Sequence, residues 1–157
     1  MTVAPSDTLL RQVLIGARSF ACVGLSPDPV RPSNFVGRYL SRRGYTVIPV
    51  HPAHIGTELF GEPFVGSVAE IGRPVDVLDV FRRPDAVPGI VEEGLAALSG
   101  LKCVWLQLGL RSPEAERLCA AAGVILIQDR CPKIEHQRLF GELRRGGFNT
   151  GVISSRL

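Results

Sequence analysis

Five short apolar runs, separated by segments with helical periodicity, constrain the fold of this chain more than any other feature of its sequence. Each run is continuously apolar rather than alternating, which is typical of strands buried on both faces of a parallel sheet. Parallel neighbours need crossover connections, and helices on the two faces of the sheet supply them. The five strands are predicted at residues 19–25, 46–50, 75–81, 103–108 and 124–128.

Helix start and stop signals fall between these strands. Ser6 or Asp7 can cap a first helix, and Ser33 is predicted to cap a second helix that follows the proline-rich loop. Residues 53–66 are predicted to be irregular. The other predicted helical segments are a short turn after Ser67, a helix over 85–98, a helix over 113–122 with Ser112 as its cap and Gly123 as its stop, and a last helix from Pro132.

These signals predict a doubly wound, Rossmann-like α/β fold with a five-stranded, mostly parallel sheet. A length of 157 residues is that of one domain, and 45% hydrophobic residues can build its core. We expect the domain to cover residues 1–139 and a basic C-terminal tail to cover residues 140–157. No apolar run approaches the roughly 20 residues of a membrane helix. The N-terminus lacks a secretory signal, so a soluble cytoplasmic protein without membrane contact is expected.

The net charge of +3 comes entirely from the residues that follow His136, most of which belong to the C-terminal tail. There the excess consists of Arg138, Arg144, Arg145 and Arg156 against Glu142, and the residues before them carry equal numbers of acidic and basic side chains. A nucleic-acid interface needs a basic face with aromatic or helical readers, so nucleic acid is not predicted as a partner. The tail is instead a candidate for docking to a second copy or to another protein.

The ligand site is expected beyond the carboxyl ends of the strands, at the switch point near the first strand. The loop that follows this strand is neither GxGxxG nor a P-loop. Strand two ends in Val50-His51-Pro52, without the acid that holds the ribose hydroxyl of NAD. An NAD(P)-binding Rossmann protein is therefore disfavoured, although it stays an alternative.

The same loop has the residue types that bind phosphate. Gly24 permits close backbone approach, Ser26 and Ser33 supply hydroxyl groups, and Arg31 supplies a guanidinium fork. The start of the following helix adds N–H groups. The alternative is a tight turn in which Arg31 is merely solvated.

Three stretches of the sequence carry a family resemblance: residues 23–52, VGLSPDPVRPSNFVGRYLSRRGYTVIPVHP; residues 74–95, PVDVLDVFRRPDAVPGIVEEGL; and residues 104–139, VWLQLGLRSPEAERLCAAAGVILIQDRCPKIEHQRL. They resemble the small stand-alone CoA-binding proteins, which are relatives of the N-terminal CoA-binding domain of the succinyl-CoA synthetase alpha subunit. The similarity covers about residues 8–139. It implies a Rossmann-like fold and coenzyme A, or an acyl-CoA, as the ligand.

The resemblance also implies which residues contact the cofactor. Gly24, Ser26, Arg31 and Ser33 would hold the phosphates, with Pro32 in the same loop, and the other lining residues would be Val50, His51, Pro52, Phe81, Arg82, Gln107 and Leu108. Family members commonly have asparagine where this chain has His51. The resemblance assigns no catalytic residue. The large synthetases carry a phosphorylated histidine in a second domain, which we do not expect here, and His136 is not its counterpart.

Cys131 is the best candidate for a nucleophile, because Arg130, Lys133 and a helix start lie beside it. This alternative is an enzyme that acts on a thioester or a disulfide. The competing interpretation is a loop cysteine that packs as a small hydrophobic residue. Cys22 and Cys103 lie inside strands and are predicted to be core residues. No disulfide framework and no structural zinc site is expected.

A few polar residues are further candidates for metal binding, ligand binding or a structural role. His51 and His54 have HxxH spacing, but without a converging third ligand no metal site is predicted. Asp79 is predicted to be a buried carboxylate that accepts backbone or helix-end N–H groups. Trp105 is predicted to lie in the core, whereas Gln107 is expected either to bind a ligand amide or ribose or to cap a loop.

Overall fold

The computed structural model describes residues 4–141 and has a parallel five-stranded sheet at its centre. The strands in chain order are β1 Ser19–Val23, β2 Thr46–Val50, β3 Glu58–Leu59, β4 Glu62–Pro63, β5 Val77–Val80, β6 Cys103–Leu106 and β7 Ile125–Ile127. The α-helices are α1 Asp7–Gly16, α2 Pro32–Arg42, α3 Val87–Ala97, α4 Pro113–Ala122 and α5 Pro132–Phe140. Short 3-10 turns lie at Pro52–His54, Val68–Glu70 and Pro84–Ala86.

The sheet has the strand order β2-β1-β5-β6-β7, and all four pairings are parallel. The chain first moves from β1 to one edge through α2, and then continues on the other side of β1 through α3 and α4. The predicted doubly wound α/β fold is therefore confirmed. The connection from β2 to β5 has no α-helix, and contains the antiparallel β3–β4 hairpin instead.

Successive side chains of β1 lie in two different layers of the core. Phe20 and Cys22 contribute to the layer that contains apolar residues of α1, α2 and α5. Ala21 and Val23 contribute to the opposite layer, which is covered by α3 and α4. Because successive side chains of a strand point to opposite faces, a continuously apolar strand is what such a double burial requires.

Helix α5 closes the first layer against α1 and α2. Tyr39 of α2 and His136 of α5 are joined by a hydrogen bond of 2.8 Å between the tyrosine hydroxyl and Nδ1. Arg138 of α5 reaches Asp7 of α1, with 2.6 Å between Nη2 and Oδ1. Leu139 is buried in the same layer. The last helix therefore connects the two helices nearest the start of the described chain.

Several predicted boundaries need correction. The predicted cap Ser33 lies one residue inside α2, which begins at Pro32 with Arg31 at the N-cap position. The hydroxyl of Ser33 instead accepts the N–H of Ser26, at 3.0 Å, so it holds the loop rather than the helix. Residues 53–66 are not irregular throughout, because they include a 3-10 turn and the β3–β4 hairpin.

Other predicted elements differ mainly in length. Strand two, the helix at 113–122 and its stop at Gly123, with φ of 70°, are confirmed as predicted. Ser6 is confirmed as the first cap, since its hydroxyl accepts the N–H of Leu9 at 3.1 Å. The other four strands end short of their predicted limits, and the helix predicted over 85–98 is divided into a 3-10 turn and α3.

The predicted domain boundary falls beside the end of α5 at Phe140, and the predicted basic tail lies almost wholly outside the described residues. Within residues 4–141, no helix combines the length and the apolar character that crossing a membrane requires.

The packing of α3 on the sheet leads to a first prediction. A Cβ at Gly94 would lie 2.5 Å from Cδ2 of Leu78, a fully buried side chain of β5. Gly94→Ala is therefore expected to destabilise the protein by about 1–3 kcal/mol, the usual cost of overpacking, as measured by urea unfolding.

Gly89 in the same helix is the matched control, because a Cβ there meets nothing within 4 Å. Gly89→Ala should be neutral or stabilising by up to about 1 kcal/mol. Equal stability of the two variants would contradict the close packing described for Gly94.

Candidate functional site

A cavity of about 560 Å³ opens at the carboxyl edge of the sheet. Four neighbouring strands each end beside it: Gly24 follows β1, His51 follows β2, Phe81 follows β5 and Gln107 follows β6. The cavity therefore spans the position where β1 is flanked by β2 on one side and β5 on the other. Its lining residues are Gly24, Ser26, Arg31, Pro32, Ser33, His51, His54, Phe81, Arg82, Gln107, Leu108 and Leu110.

Most of the residues predicted to contact a ligand are brought together in this cavity. The exceptions are Val50, which is buried in β2, and Pro52, which is exposed on the following 3-10 turn. His54 and Leu110 line the cavity without having been among those predicted residues. Both lie in loops beyond the carboxyl ends of strands, where the ligand site was expected, and the HxxH spacing also grouped His54 with His51.

The loop between β1 and α2 approaches the chain beyond β5 very closely. Gly24 has φ of 90°, and its N–H donates to the carbonyl of Val50 at 2.8 Å. A Cβ at this position would lie 2.8 Å from both the carbonyl oxygen of Phe81 and Cδ of Arg82. Both the backbone conformation and the available space therefore require glycine.

The rest of the loop is held by its own polar groups. Besides the Ser26–Ser33 contact, the buried amide of Asn34 donates to the carbonyl of Ser26 at 2.9 Å. The Ser26 hydroxyl accepts the N–H of Asp28, and the Asp28 carboxylate accepts the N–H of Val30, both at 3.1 Å. These bonds order the loop before any ligand arrives, and the sequence analysis missed the part played by Asn34.

The ionisable side chains that line the cavity are all basic. Arg31 and Arg82 are exposed guanidinium groups on its wall, and His51 and His54 add two imidazole rings. Burial, and then the neighbouring His54 and Arg82, lower the pKa of His51. Among the described residues that line the cavity there is no carboxylate. Such a set of groups suits an anion.

Beneath the wall of the cavity lies a buried carboxylate. Asp79 of β5 is fully buried, and its Oδ1 accepts a hydrogen bond of 3.0 Å from Nε2 of Gln107. The thiol of Cys22 lies 3.9 Å from Oδ2. The prediction that Asp79 accepts backbone or helix-end N–H groups is wrong, because these partners are side chains. Burial raises the pKa of Asp79 to about 7.

This contact also determines how Gln107 faces the cavity. An ionised carboxylate can only accept hydrogen bonds, so the NH₂ group of Gln107 must be turned toward Asp79. The carbonyl oxygen of the amide is then the group that can accept a hydrogen bond from a ligand. Gln107 is thus not a simple loop cap, because one of its two amide N–H groups is held by Asp79 while Asp79 is ionised.

Cys131 lies outside the cavity. It is 3% exposed, at the N-cap position of α5, and belongs to the core layer of α1 and α2. Burial raises the pKa of its thiol to about 11, so the reactive thiolate is disfavoured at neutral pH. The structure therefore favours the core interpretation over the nucleophile. Trp105 is fully buried, as predicted, and its indole N–H donates to the carbonyl of Arg130 at 2.9 Å.

The histidines do not converge on a metal. The rings of His51 and His54 lie 4.5 Å apart between centroids, whereas the half-buried His136 is hydrogen-bonded to Tyr39. Within residues 4–141, no three His, Cys, Asp or Glu side chains are arranged to hold a metal ion.

Comparison with known proteins gives consistent results. Residues 18–137 match the family described as CoA binding domain. An uncharacterized protein of Bacillus subtilis, YneT, is 36% identical over 132 residues, which is 84% of this chain and 95% of that protein.

Two solved structures extend the comparison. A Thermus thermophilus protein, cell-free ID.343, is 45% identical with a TM-score of 0.81, covering 87% of this chain and all of that one. The acetyl-coenzyme A synthetase 1 of Ca. Korarchaeum cryptofilum is 25% identical with a TM-score of 0.60. That match covers 74% of this chain and 27% of the synthetase chain.

The buried carboxylate leads to a second prediction. The pKa of Asp79 is raised from 3.8 to about 7 in the folded protein, so the folded state binds its proton more tightly than the unfolded state does. Its contribution to stability must then fall as pH rises from about 4 to 7, by about 4 kcal/mol. In urea unfolding, Asp79→Asn should be more stable than the wild type at pH 8, and this difference should shrink toward pH 5.

Asp76 provides a control of opposite sign. Although burial acts to raise its pKa, the N–H groups of Arg18 and Ser19 and the ammonium of Lys102 hold the pKa of Asp76 below its usual value. Asp76→Asn should therefore cost stability at pH 8 and cost less at acid pH. An Asp79→Asn variant with the same pH profile as the wild type would refute the role given to Asp79.

The cysteines lead to a third prediction. Cys22, Cys103, Cys119 and Cys131 are all buried and free. Burial raises the pKa of Cys119 to about 11, as it does for Cys131. Iodoacetamide at neutral pH should therefore label none of the four rapidly in the native protein, and all of them in urea. Rapid native labelling of Cys131, located by peptide mass spectrometry, would restore the nucleophile hypothesis.

Proposed function

The chain belongs to the family of CoA binding domains, and we propose that it binds coenzyme A or an acyl-CoA in the cavity at the carboxyl edge of its sheet. The observation that carries the proposal is the junction of β1 and α2, where an ordered loop, two serine hydroxyls and Arg31 face a cavity without a lining carboxylate. In this proposal the loop from Gly24 to Ser33 holds the phosphates of the nucleotide.

The physical support for phosphate binding is preorganisation. The loop is already ordered by its internal hydrogen bonds, and Pro29 and Pro32 restrict the backbone on both sides of Arg31. A guanidinium can grip a phosphate through two parallel hydrogen bonds. The N-terminus of α2, which has no side-chain cap, adds the positive end of a helix dipole.

The apolar residues that line the cavity suit the rest of the ligand. They are Phe81, Leu108 and Leu110, of which Leu108 is 57% exposed. An apolar surface of this kind fits a pantetheine arm or a short acyl chain. The carbonyl oxygen of Gln107 can accept the N–H of one of the two amide groups of pantetheine, which fits a ligand that carries donors at that point.

The same geometry argues against NAD. The ribose hydroxyl of NAD is ordinarily held by an acid at the end of the second strand, and His51 occupies that position here. We assign no catalytic residue to the cavity. The cytoplasmic location and the association through the basic tail stay predictions.

A calorimetric titration tests the proposal and gives the fourth prediction. Charge-assisted hydrogen bonds contribute about 1.5–3 kcal/mol each, so Arg31→Ala should weaken CoA binding by roughly ten- to a hundredfold. The melting temperature should hardly change, because Arg31 is exposed on a loop. Raising the salt concentration should weaken wild-type binding more than binding by the variant.

Arg117→Ala is the matched control, since this exposed arginine lies on α4 and pairs with Glu114. It should bind CoA as the wild type does. NAD, titrated over the same range, should bind much more weakly than CoA. Binding of CoA by Arg31→Ala within about twofold of wild type would overturn the phosphate assignment, and wild-type protein that does not bind CoA would overturn the proposed function.

A further inference from the structure

Two histidines form a second polar group in the cavity, apart from the phosphate loop. His51 follows β2 and His54 ends the 3-10 turn Pro52–His54. Their rings lie 4.5 Å apart between centroids, and the ring of His54 also contacts that of Phe64, at 5.4 Å. Both histidines line the cavity. They are therefore packed side by side rather than projecting independently into solvent.

The local hydrogen bonding defines what His51 can offer a ligand. Its Nδ1 accepts the N–H of Ala53 at 3.1 Å, and so caps the turn. An imidazole that accepts through Nδ1 carries its proton on Nε2 when neutral. His51 is consequently a hydrogen-bond donor through Nε2 without first having to become charged, and the turn holds its ring in place.

The charges around the pair favour an anion. The guanidinium group of Arg82 lies close enough to His51 to help lower its pKa, after burial and His54, and Arg31 lies on the wall of the same cavity. No acidic side chain lines the described cavity to offset them. The guanidinium groups of Arg31 and Arg82 attract a bound anion, and the Nε2–H of His51 can donate a hydrogen bond to it.

The position of the pair in the fold identifies which part of a nucleotide it faces. In sheets of this type the loop after the first strand takes the diphosphate, and the end of the second strand takes the adenosine ribose. An acid at this position selects a free ribose hydroxyl, whereas a cationic group accommodates a ribose phosphate. In CoA that ribose carries a phosphate monoester.

We propose that His51 and His54, together with Arg82, form a subsite for the phosphate monoester on the adenosine ribose, so that the protein selects CoA over dephospho-CoA. This inference rests on the proposed function, and it names the group that sets the selectivity of the same cavity. A ribose phosphate is also present in NADP, which shares this chemistry but not the pantetheine arm.

The test, and the fifth prediction, is a comparison of dissociation constants for CoA and dephospho-CoA by calorimetry. Two ligands that differ only in the ribose phosphate isolate its contribution. The wild type should bind CoA roughly ten- to a hundredfold more tightly, as expected for charge-assisted hydrogen bonds to one phosphate. His51→Asn, which retains a side-chain acceptor for the turn, and His54→Ala should each reduce this ratio several-fold while changing dephospho-CoA binding little.

Arg31→Ala provides the matched control, because the diphosphate that it is proposed to hold is present in both ligands. It should weaken both and leave their ratio unchanged. A ratio near one in the wild type, or a ratio that His51→Asn and His54→Ala leave unchanged, overturns the ribose-phosphate subsite even if CoA binds.

Titrations with NADP and NAD separate this inference from the proposed function. If CoA does not bind, but NADP binds more tightly than NAD through the same two histidines, the subsite stands and the CoA proposal fails. If none of the four nucleotides binds, both proposals fail. Binding of CoA with the predicted ratio, together with weak binding of NADP, supports both.

Discussion

The burial of β1 on every side is the constraint on which the rest of this structure depends. Its central residues are sealed between two helical layers, and its backbone is paired with β2 on one edge and with β5 on the other. Buried peptide groups must find partners within the protein, so the two flanking strands are required as much as the helices. Only beyond its carboxyl end, at Gly24, does β1 leave the sheet, and there the cavity opens. The position of the cavity thus follows from where this buried strand ends.

Asp79 lies in the apolar core and also hydrogen-bonds to Gln107, which lines the cavity. The core favours a neutral side chain at this position, whereas the hydrogen bond from Gln107 needs an acceptor. A carboxylate placed among apolar strands costs free energy that a neutral residue would not. In return, Asp79 orients the amide of Gln107 at the edge of the cavity. Burial raises the pKa of Asp79 to about 7, although the hydrogen bonds from Gln107 and Cys22 act to lower it. Local stability is here given up while the amide of Gln107 at the cavity edge is held in a defined orientation.

The sequence allowed the sheet and the edge that bears the cavity to be predicted, because continuous apolar runs and capping signals are local properties of the chain. It did not allow the β3–β4 hairpin to be predicted, since each strand has two residues and no periodicity to detect. The roles of Ser33 and Asp79 were misassigned for a different reason. Serine is a residue type that commonly caps helices, but the hydroxyl of Ser33 accepts the N–H of Ser26 instead. The amide partner of Asp79 is 28 residues away, directly after the next strand of the sheet, a pairing that only the completed sheet creates.

Helix α5 closes the layer that α1 and α2 begin, through Tyr39 and His136, 97 residues apart, and through Arg138 and Asp7. During synthesis on the ribosome the N-terminal helices emerge first, whereas α5 emerges only after every strand of the sheet. Until then Leu10, Leu14 and Tyr39, which are buried in the finished protein, lack the last helix that covers their layer. A nascent chain of this topology therefore carries an incompletely covered apolar face until α5 docks, and an exposed face of this kind favours association with other chains.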